Sequence, residues 1–177
     1  MKILFLGDIV GNSGCFAVKK FLPDIIKSKK INFVIVNGEN AAKDGVGITE
    51  NIVNELLSCG VDVITTGNHV WDQKEIFEFI NKQKRLLRPL NLSGVVPGDG
   101  FGIYNTIGGY KVGVLNLMGN VFMKKCDDVF IKSKQFIDEN KLKEKYDFLI
   151  VDFHGEITSE KMAIGHVFDG NATFVVG

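Results

Sequence analysis

Short runs of apolar residues alternate with amphipathic stretches along this chain. Four of these runs have the length and the Val, Ile, Leu and Phe content of buried β-strands. They cover residues 2–7, 33–37, 61–66 and 148–153. Because strands that alternate with helices pair in parallel and carry helices on both faces of the sheet, the pattern predicts an α/β fold.

Amphipathic segments between the apolar runs predict the helices. The first begins near Gly14, after a glycine-rich loop. Thr49 is the predicted N-cap of a second helix, which ends at about Ser58. Asp72 is followed three residues later by Glu75, and this spacing predicts a capping box at the start of a third helix.

The pattern changes after Pro89. Residues 101–106 and 110–117 are strand-like and flank Gly108 and Gly109, which predicts an antiparallel hairpin. Such a hairpin indicates either one mixed sheet or two sheets packed together. Three further elements are predicted: a Lys-rich helix at about residues 132–145, a weaker helix at 159–168 that Gly165 interrupts, and a strand at 173–176.

The composition narrows the classes of protein to consider. Lys plus Arg and Asp plus Glu both number 21, so the formal net charge is zero and binding to long nucleic acid is not expected. The three scattered cysteines predict free thiols, because they have no zinc-ribbon or disulfide spacing. No membrane span or export leader is visible, which makes the cytoplasm the expected compartment. Residues 1–177 are predicted to form a single domain.

Side chains that can bind metal ions follow four of the predicted strands. They are Asp8 after the first, Glu39 and Asn40 after the second, Asn68 and His69 after the third, and His154 after residues 148–153. Each of these residues alone could cap a turn or sit in a loop. Ligands of open α/β sheets bind beyond the carboxyl ends of the strands, so their joint occurrence favours a functional site there.

The types of donor in this group indicate the metal. Carboxylate, amide oxygen and imidazole together suit Fe or Mn, with Zn as an alternative, whereas calcium takes only oxygen ligands. The absence of thiolate weighs against a structural zinc site. Two divalent ions bridged by one carboxylate can activate water and stabilise the oxygens of a phosphoryl displacement. We therefore expect two transition metal ions and a small anionic phosphate substrate.

Several motifs resemble one family over the whole chain. Gly7-Asp8, Gly67-Asn68-His69 and His154-Gly155 resemble the ordered motifs of the calcineurin-like metallophosphoesterases. The block NGENAA, with GDIVG, TTGNHVWD, VDFHGE and SEKMAIG, is similar to the YmdB-type bacterial 2′,3′-cyclic-nucleotide phosphodiesterases. The resemblance implies a layered metallophosphoesterase fold and hydrolysis of a cyclic nucleotide or other small phosphodiester by a metal-activated water.

The resemblance also implies a role for each site residue. Asp8, Glu39 and Asn40 would bind one metal ion. Glu39 would bridge to the second ion, which Asn68 and His154 also hold.

His69 would be the general acid that protonates the leaving alkoxide. Val10 stands where the wider superfamily has a histidine, a vacancy that Asn40 takes up in this branch.

The last motif of the superfamily, a His-x-His pair, is expected after residues 173–176. The sequence stops at Gly177, so the resemblance predicts a C-terminally incomplete domain with impaired activity and an unpaired strand that favours self-association. His166 is the remaining histidine, and an exposed or half-buried position on a helix is expected for it.

Two other functions are alternatives for this sequence: a phosphate or dinucleotide loop, and a non-catalytic binding module. The loop GDIVGNSG is rich in glycine, but it has neither the Gly-Lys-Ser/Thr ending of a phosphate loop nor the dinucleotide-binding spacing. The alternative that stays open is a non-catalytic relative that binds a nucleotide or a protein partner. Trp71 either stacks on a base or is a structural aromatic residue beside the loop.

Overall fold

Two β-sheets, each in its own unit of the chain, make up the fold. The computed structural model describes residues 1–141 and 143–177, and its two units are Met1–Leu86 and Leu87–Gly177. Strands alternate with helices along the chain except at one hairpin, so the predicted α/β class is confirmed. Of the two arrangements left open by the hairpin, the structure contains two sheets. The single domain predicted for residues 1–177 stays a prediction.

The first unit contains a parallel sheet in the order β1-β2-β3. Its strands are β1 (Ile3–Leu6), β2 (Phe33–Asn37) and β3 (Val63–Thr65). Every residue of β2 is buried, because this strand lies between the other two. The apolar run at 33–37 therefore matches β2, whereas β1 and β3 are shorter than the runs that predicted them.

Three helices belong to the first unit. They are α1 (Gly11–Lys29), α2 (Glu50–Ser58) and α3 (Ile76–Phe79). The predicted start of α1 near Gly14 is wrong by three residues. Gly11 has a φ of +56°, a conformation that glycine adopts at little cost, and its N–H donates to Asn40 O at 2.8 Å. The chain can therefore turn into the helix directly at this residue.

The predicted N-cap of α2 is confirmed, since the Thr49 hydroxyl accepts a hydrogen bond from Ile52 N at 3.3 Å. Thr49→Ala should lower the free energy of unfolding by about 1 kcal/mol, because an N-terminal N–H of the helix loses its acceptor. Thr49→Ser keeps the acceptor and should be nearly neutral. Urea unfolding followed by circular dichroism measures both, and equal losses in the two variants would contradict the capping role.

The capping box predicted from Asp72 and Glu75 does not form. The Asp72 carboxylate is bonded to the His69 ring, and Glu75 Oε1 accepts from Glu50 N at 2.8 Å. Among the residues that the structure describes, no side chain caps α3, which is only four residues long. Asp72 and Glu75 thus bond to other residues instead of capping α3, and the predicted capping box was wrong.

The second unit contains a mixed sheet in the order β4-β5-β6-β7. Its strands are β4 (Phe101–Asn105), β5 (Lys111–Met118), β6 (Phe148–His154) and β7 (Phe174–Val176). The hairpin is confirmed, because β4 pairs with β5 in antiparallel fashion around the turn at Gly108 and Gly109. The other neighbours pair in parallel, so the carboxyl ends of β5 and β6 lie at the same edge.

The described residues of the second unit form two helices, α4 (Val129–Glu139) and α5 (Thr158–Val167). The Lys-rich helix predicted at 132–145 begins and ends earlier than expected. Its early start is explained by the Asp128 side chain, which caps α4 by accepting from Ile131 N at 2.9 Å. Residue 142 of that prediction lies outside the described residues. The predicted interruption at Gly165 is wrong: α5 continues through this glycine, whose missing side chain weakens a helix without ending it.

The core of the second unit forms where α4 and α5 cover β5 and β6. Its largest contributors include Leu117, Phe136, Phe153 and Ile164. Of the helices in residues 1–141 and 143–177, none combines the length and the apolar character that a bilayer crossing requires.

The three cysteines are free thiols, as predicted. Burial raises the pKa of Cys15, Cys59 and Cys126, which favours the protonated thiols.

Candidate metal and catalytic site

The first unit gathers polar side chains at the carboxyl edge of its parallel sheet. Asp8 lies two residues beyond the end of β1, and Glu39 lies two residues beyond the end of β2. The turn after β1 is held in place because Ile9 N donates to Asn37 O at 3.0 Å. Parallel strands end at a common edge, so this hydrogen bond brings the two carboxylates together.

Glu39 is the most deeply buried member of the group, with 2% of its surface exposed. One carboxylate oxygen, Oε1, accepts from Asn40 Nδ2 at 3.2 Å. The other, Oε2, accepts from the backbone N–H of His69 at 3.2 Å. Packing around the preceding Gly38 is tight, since a Cβ there would approach the side chains of Ile48 and Ile64 to 3.0 Å and they would have to shift.

The spacing of the carboxylates tests whether a metal ion suits the site. One carboxylate oxygen of Asp8 and one of Glu39 lie within 4.8 Å of each other. Two negative charges at this separation repel, and burial of Glu39 weakens the screening by water. A divalent cation between them would relieve the repulsion, and carboxylate oxygens are among its preferred ligands. The pair therefore fits the predicted metal chemistry.

Asn40 lies beside both carboxylates. Its Nδ2 is 3.4 Å from Asp8 Oδ2, in addition to its contact with Glu39. The backbone of Asn40 forms a parallel bridge with Val10, which is 51% exposed. Val10, at the position where the wider superfamily has a histidine, is thus exposed and has the amide residue Asn40 beside it.

His69 lies in the turn that follows β3 and is paired with Asp72. Its Nδ1 is 2.5 Å from Asp72 Oδ2, and both side chains are about one-third exposed, at 31% and 29%. Within residues 1–141 and 143–177, Nε2 of this ring has no hydrogen-bond partner. The carboxylate orients the ring and favours a proton on Nδ1. Sequence reasoning missed this role of Asp72.

The remaining predicted residues are placed as follows. Asn68 is half-buried and directly precedes His69 in the turn after β3. In the second unit, His154 is the last residue of β6 and is also half-buried. His166 is exposed in the last turn of α5, as expected for a helix residue outside the site. Trp71 stacks on Phe77 with ring centroids 4.8 Å apart, which gives it a structural contact.

Comparison with known families agrees with these motifs. A family model described as YmdB-like protein matches residues 4–177. The chain belongs to the YmdB-like family. The metallophosphoesterase resemblance found in the motifs is thereby confirmed.

Individual relatives of this YmdB-like chain agree with the family match. It is 45% identical over 177 residues to a 2′,3′-cyclic-nucleotide 2′-phosphodiesterase of Bacillus subtilis (strain 168), covering 100% of the chain and 66% of the relative. A crystal structure of a hypothetical protein from Thermus thermophilus matches with a TM-score of 0.88 at 38% identity, over 99% of this chain and 66% of that one.

A second solved structure, a novel phosphatase from Mycoplasma pneumoniae, also has a TM-score of 0.88. It is 35% identical, and the match covers 98% of this chain and 62% of that one. The predicted metallophosphoesterase-like fold is therefore confirmed. The YmdB-like chain spans less than two thirds of the length of each of these relatives.

Proposed function

We propose that this chain carries the active site of a metal-dependent phosphodiesterase that acts on cyclic nucleotides of the 2′,3′ type. The observation that carries the proposal is the meeting of the Asp8–Glu39 carboxylate pair with the His69–Asp72 pair at one sheet edge. The name of the Bacillus subtilis relative supports the substrate class.

Two divalent transition metal ions, Fe or Mn with Zn as the alternative, are the cofactors in this proposal. Asp8, Glu39 and Asn40 would hold one ion, and Glu39, Asn68 and His154 would hold the other. Bound metals supply Lewis acidity at the phosphoryl group and lower the pKa of water. Asn40 would bind through Oδ1, which requires a flip of the amide from its present orientation, where Nδ2 faces the carboxylates.

Glu39 connects the metal ligands to the general acid. The His69 backbone N–H donates to Glu39 Oε2, so the position of the turn after β3 is tied to the carboxylate. Because Glu39 is almost fully buried, its side chain has little freedom to reorient. The chain thereby fixes a metal-binding oxygen and the catalytic turn relative to each other before a substrate arrives.

His69 acts as the general acid in this proposal. Asp72 holds Nδ1 in a hydrogen bond, so the proton to be transferred is the one on Nε2. That proton passes to the leaving ribose oxygen as its bond to phosphorus breaks. The ring is then neutral. It keeps its proton on Nδ1, which stays hydrogen-bonded to the Asp72 carboxylate.

The N-terminus of α1 favours the anionic phosphate of such a substrate. This 19-residue helix begins three residues after Asp8 and has no acidic residue in its first turn. Within residues 1–141 and 143–177, no side chain caps this helix, and of its first N–H groups that of Gly11 already donates to the Asn40 carbonyl. The partial positive charge of a helix N-terminus stabilises anions, so the phosphate gains a further favourable interaction at this edge.

Hydrolysis of 2′,3′-cyclic AMP in the presence of Mn²⁺, Fe²⁺ or Zn²⁺ tests the proposal. We expect metal-dependent turnover to an adenosine monophosphate, detected by chromatography. His69→Ala protein prepared in parallel controls for contaminating phosphatases. Nucleotide binding without turnover under any metal would replace the proposal with the non-catalytic binding function.

A further inference from the structure

A loop of the second unit leaves the sheet beside His154. We call residues 119–126, which follow β5, the Phe122 loop. Met118, the last residue of β5, is the register partner of His154 on β6. The next residue, Gly119, donates its N–H to His154 O at 2.9 Å. The Phe122 loop therefore starts at the same sheet edge as the proposed metal ligand His154.

Phe122 itself has an unusual conformation and exposure. Its side chain is 85% exposed, and its φ is +60°, a region that bulky non-glycine residues rarely adopt. Val95 and Ile107 are more exposed, but their φ values are negative. Among the described residues, Phe122 is thus the one apolar side chain that is both largely exposed and in the left-handed region. Such outliers concentrate at functional sites.

A buried carboxylate holds the start of the Phe122 loop. Glu160, on α5, is only 5% exposed. Its Oε1 accepts from Asn120 N at 2.7 Å, and its Oε2 accepts from Val121 N at 3.4 Å. The backbone directly before Phe122 is therefore fixed by a helix that lies 40 residues away along the chain.

Two asparagines hold the rest of the loop base. Asn91 is fully buried, and its Nδ2 donates to Met118 O at 2.8 Å and to Asp127 O at 3.0 Å. Asn120 Nδ2 also donates to Asp127 O, at 3.1 Å. Both ends of the Phe122 loop are thus clamped together, and the Phe122 ring is presented to solvent from a rigid base.

We propose that Phe122 stacks on the base of the nucleotide substrate and thereby selects nucleotides among phosphodiesters. This inference rests on the proposed function, which places the phosphate near His154. The backbone from Gly119 to Phe122 spans at most about 11 Å, which is within the length of one nucleotide. An exposed aromatic ring recognises any base through its π-face.

The surroundings of the ring favour a nucleotide over a protein partner. Lys124 and Lys125 belong to the same loop and are exposed, so they add positive charge that suits an anion. A single ring on a short loop is small compared with a stable protein interface, which takes about 20–30 residues a side.

The first test compares substrates with and without a base. Phe122→Asn removes the ring but tolerates the left-handed backbone, and Phe122→Tyr keeps an aromatic ring. We expect Phe122→Asn to lower kcat/KM for 2′,3′-cyclic AMP by about 5- to 150-fold, the range expected from loss of one base stack. Hydrolysis of ribose 2,3-cyclic phosphate should be unchanged, and Phe122→Tyr should resemble the parent chain.

The second test measures binding without turnover. The fluorescence of Phe122→Trp should be quenched by 3′-AMP and not by ribose phosphate, with the parent chain as the control for Trp71. The inference would be overturned if Phe122→Asn affected both substrates equally, or if 3′-AMP gave no selective quenching. In either case, turnover of 2′,3′-cyclic AMP by the parent chain would still support the proposed function. Absence of turnover with selective quenching would instead refute the proposed function. A change of oligomeric state in Phe122→Asn without a change in selectivity would show a self-association surface and also overturn the inference.

Discussion

Glu39→Gln is expected to lower the affinity of the chain for Mn²⁺ by about 100-fold or more. Loss of an outer-shell partner of a metal ligand typically costs about 10–100-fold, and Glu39 is the proposed bridging ligand itself. The substitution preserves the size of the buried side chain and an oxygen that can accept from His69 N. The expected loss therefore comes from the charge and not from a collapsed site.

Calorimetric titration with Mn²⁺ and elemental analysis of protein purified without chelator measure this effect. Glu78→Gln, on the exposed side of α3, is the matched control for removal of one carboxylate in the same unit. Unfolding provides a second readout, because a metal at about 100 times its Kd stabilises the folded state by about 2.7 kcal/mol. That stabilisation should fall to about 0.4 kcal/mol or less in Glu39→Gln and persist in Glu78→Gln. Unchanged Mn²⁺ affinity in Glu39→Gln would refute the ligand assignment.

His69→Ala is expected to keep its metal ions and to lose turnover by about 10²–10⁴-fold, the usual contribution of a positioned general acid. Metal binding should survive because the contact of His69 with Glu39 uses the backbone N–H, which alanine retains. The loss should be largest for 2′,3′-cyclic AMP, whose leaving alkoxide needs a proton. It should be smaller for bis-nitrophenyl phosphate, whose leaving group is stable as an anion.

Asp72→Asn tests the same proton transfer by changing the hydrogen-bond partner of His69 Nδ1. In the proposed mechanism Asp72 only positions the His69 ring, so its substitution should reduce turnover less than His69→Ala while showing the same dependence on the leaving group. Asp44→Asn, in the same unit and bonded to Gln73 instead of His69, is the control. Equal losses for good and poor leaving groups would mean that His69 does not act as the acid.

The strands, and the gathering of polar side chains at one sheet edge, could be predicted from the sequence. Buried strands appear as uninterrupted apolar runs, and residues 33–37 matched β2 because every side chain of that strand is enclosed. The rule that ligands gather at the carboxyl ends of parallel strands placed Asp8, Glu39 and His69 at one edge. Thr49 was identified as a cap because its hydrogen bond spans only three residues.

Other features depend on contacts that no local pattern encodes. Asp72 has the spacing of a capping residue, but its carboxylate bonds to the His69 ring, and the same i,i+3 separation fits both roles. The start of α1 at Gly11 depends on a hydrogen bond to Asn40, from a loop that follows another strand. The ends of helices have N–H and C=O groups without partners inside the helix, so long-range hydrogen bonds of this kind influence where a helix begins.

The sequence by itself determined which residue types meet at the sheet edge. Buried strands appear as local apolar runs, and the residues that directly follow each run lie at the strand end. Only the tertiary structure decided how side chains and loops are oriented. The Glu39 carboxylate is fixed by a hydrogen bond from His69 N, and the loop that carries Phe122 is fixed by a hydrogen bond from Asn120 N to Glu160, 40 residues away. The physical reason is that side-chain orientation depends on hydrogen-bond partners brought together by folding. These partners are separated by many residues, and the apolar pattern carries no information about them.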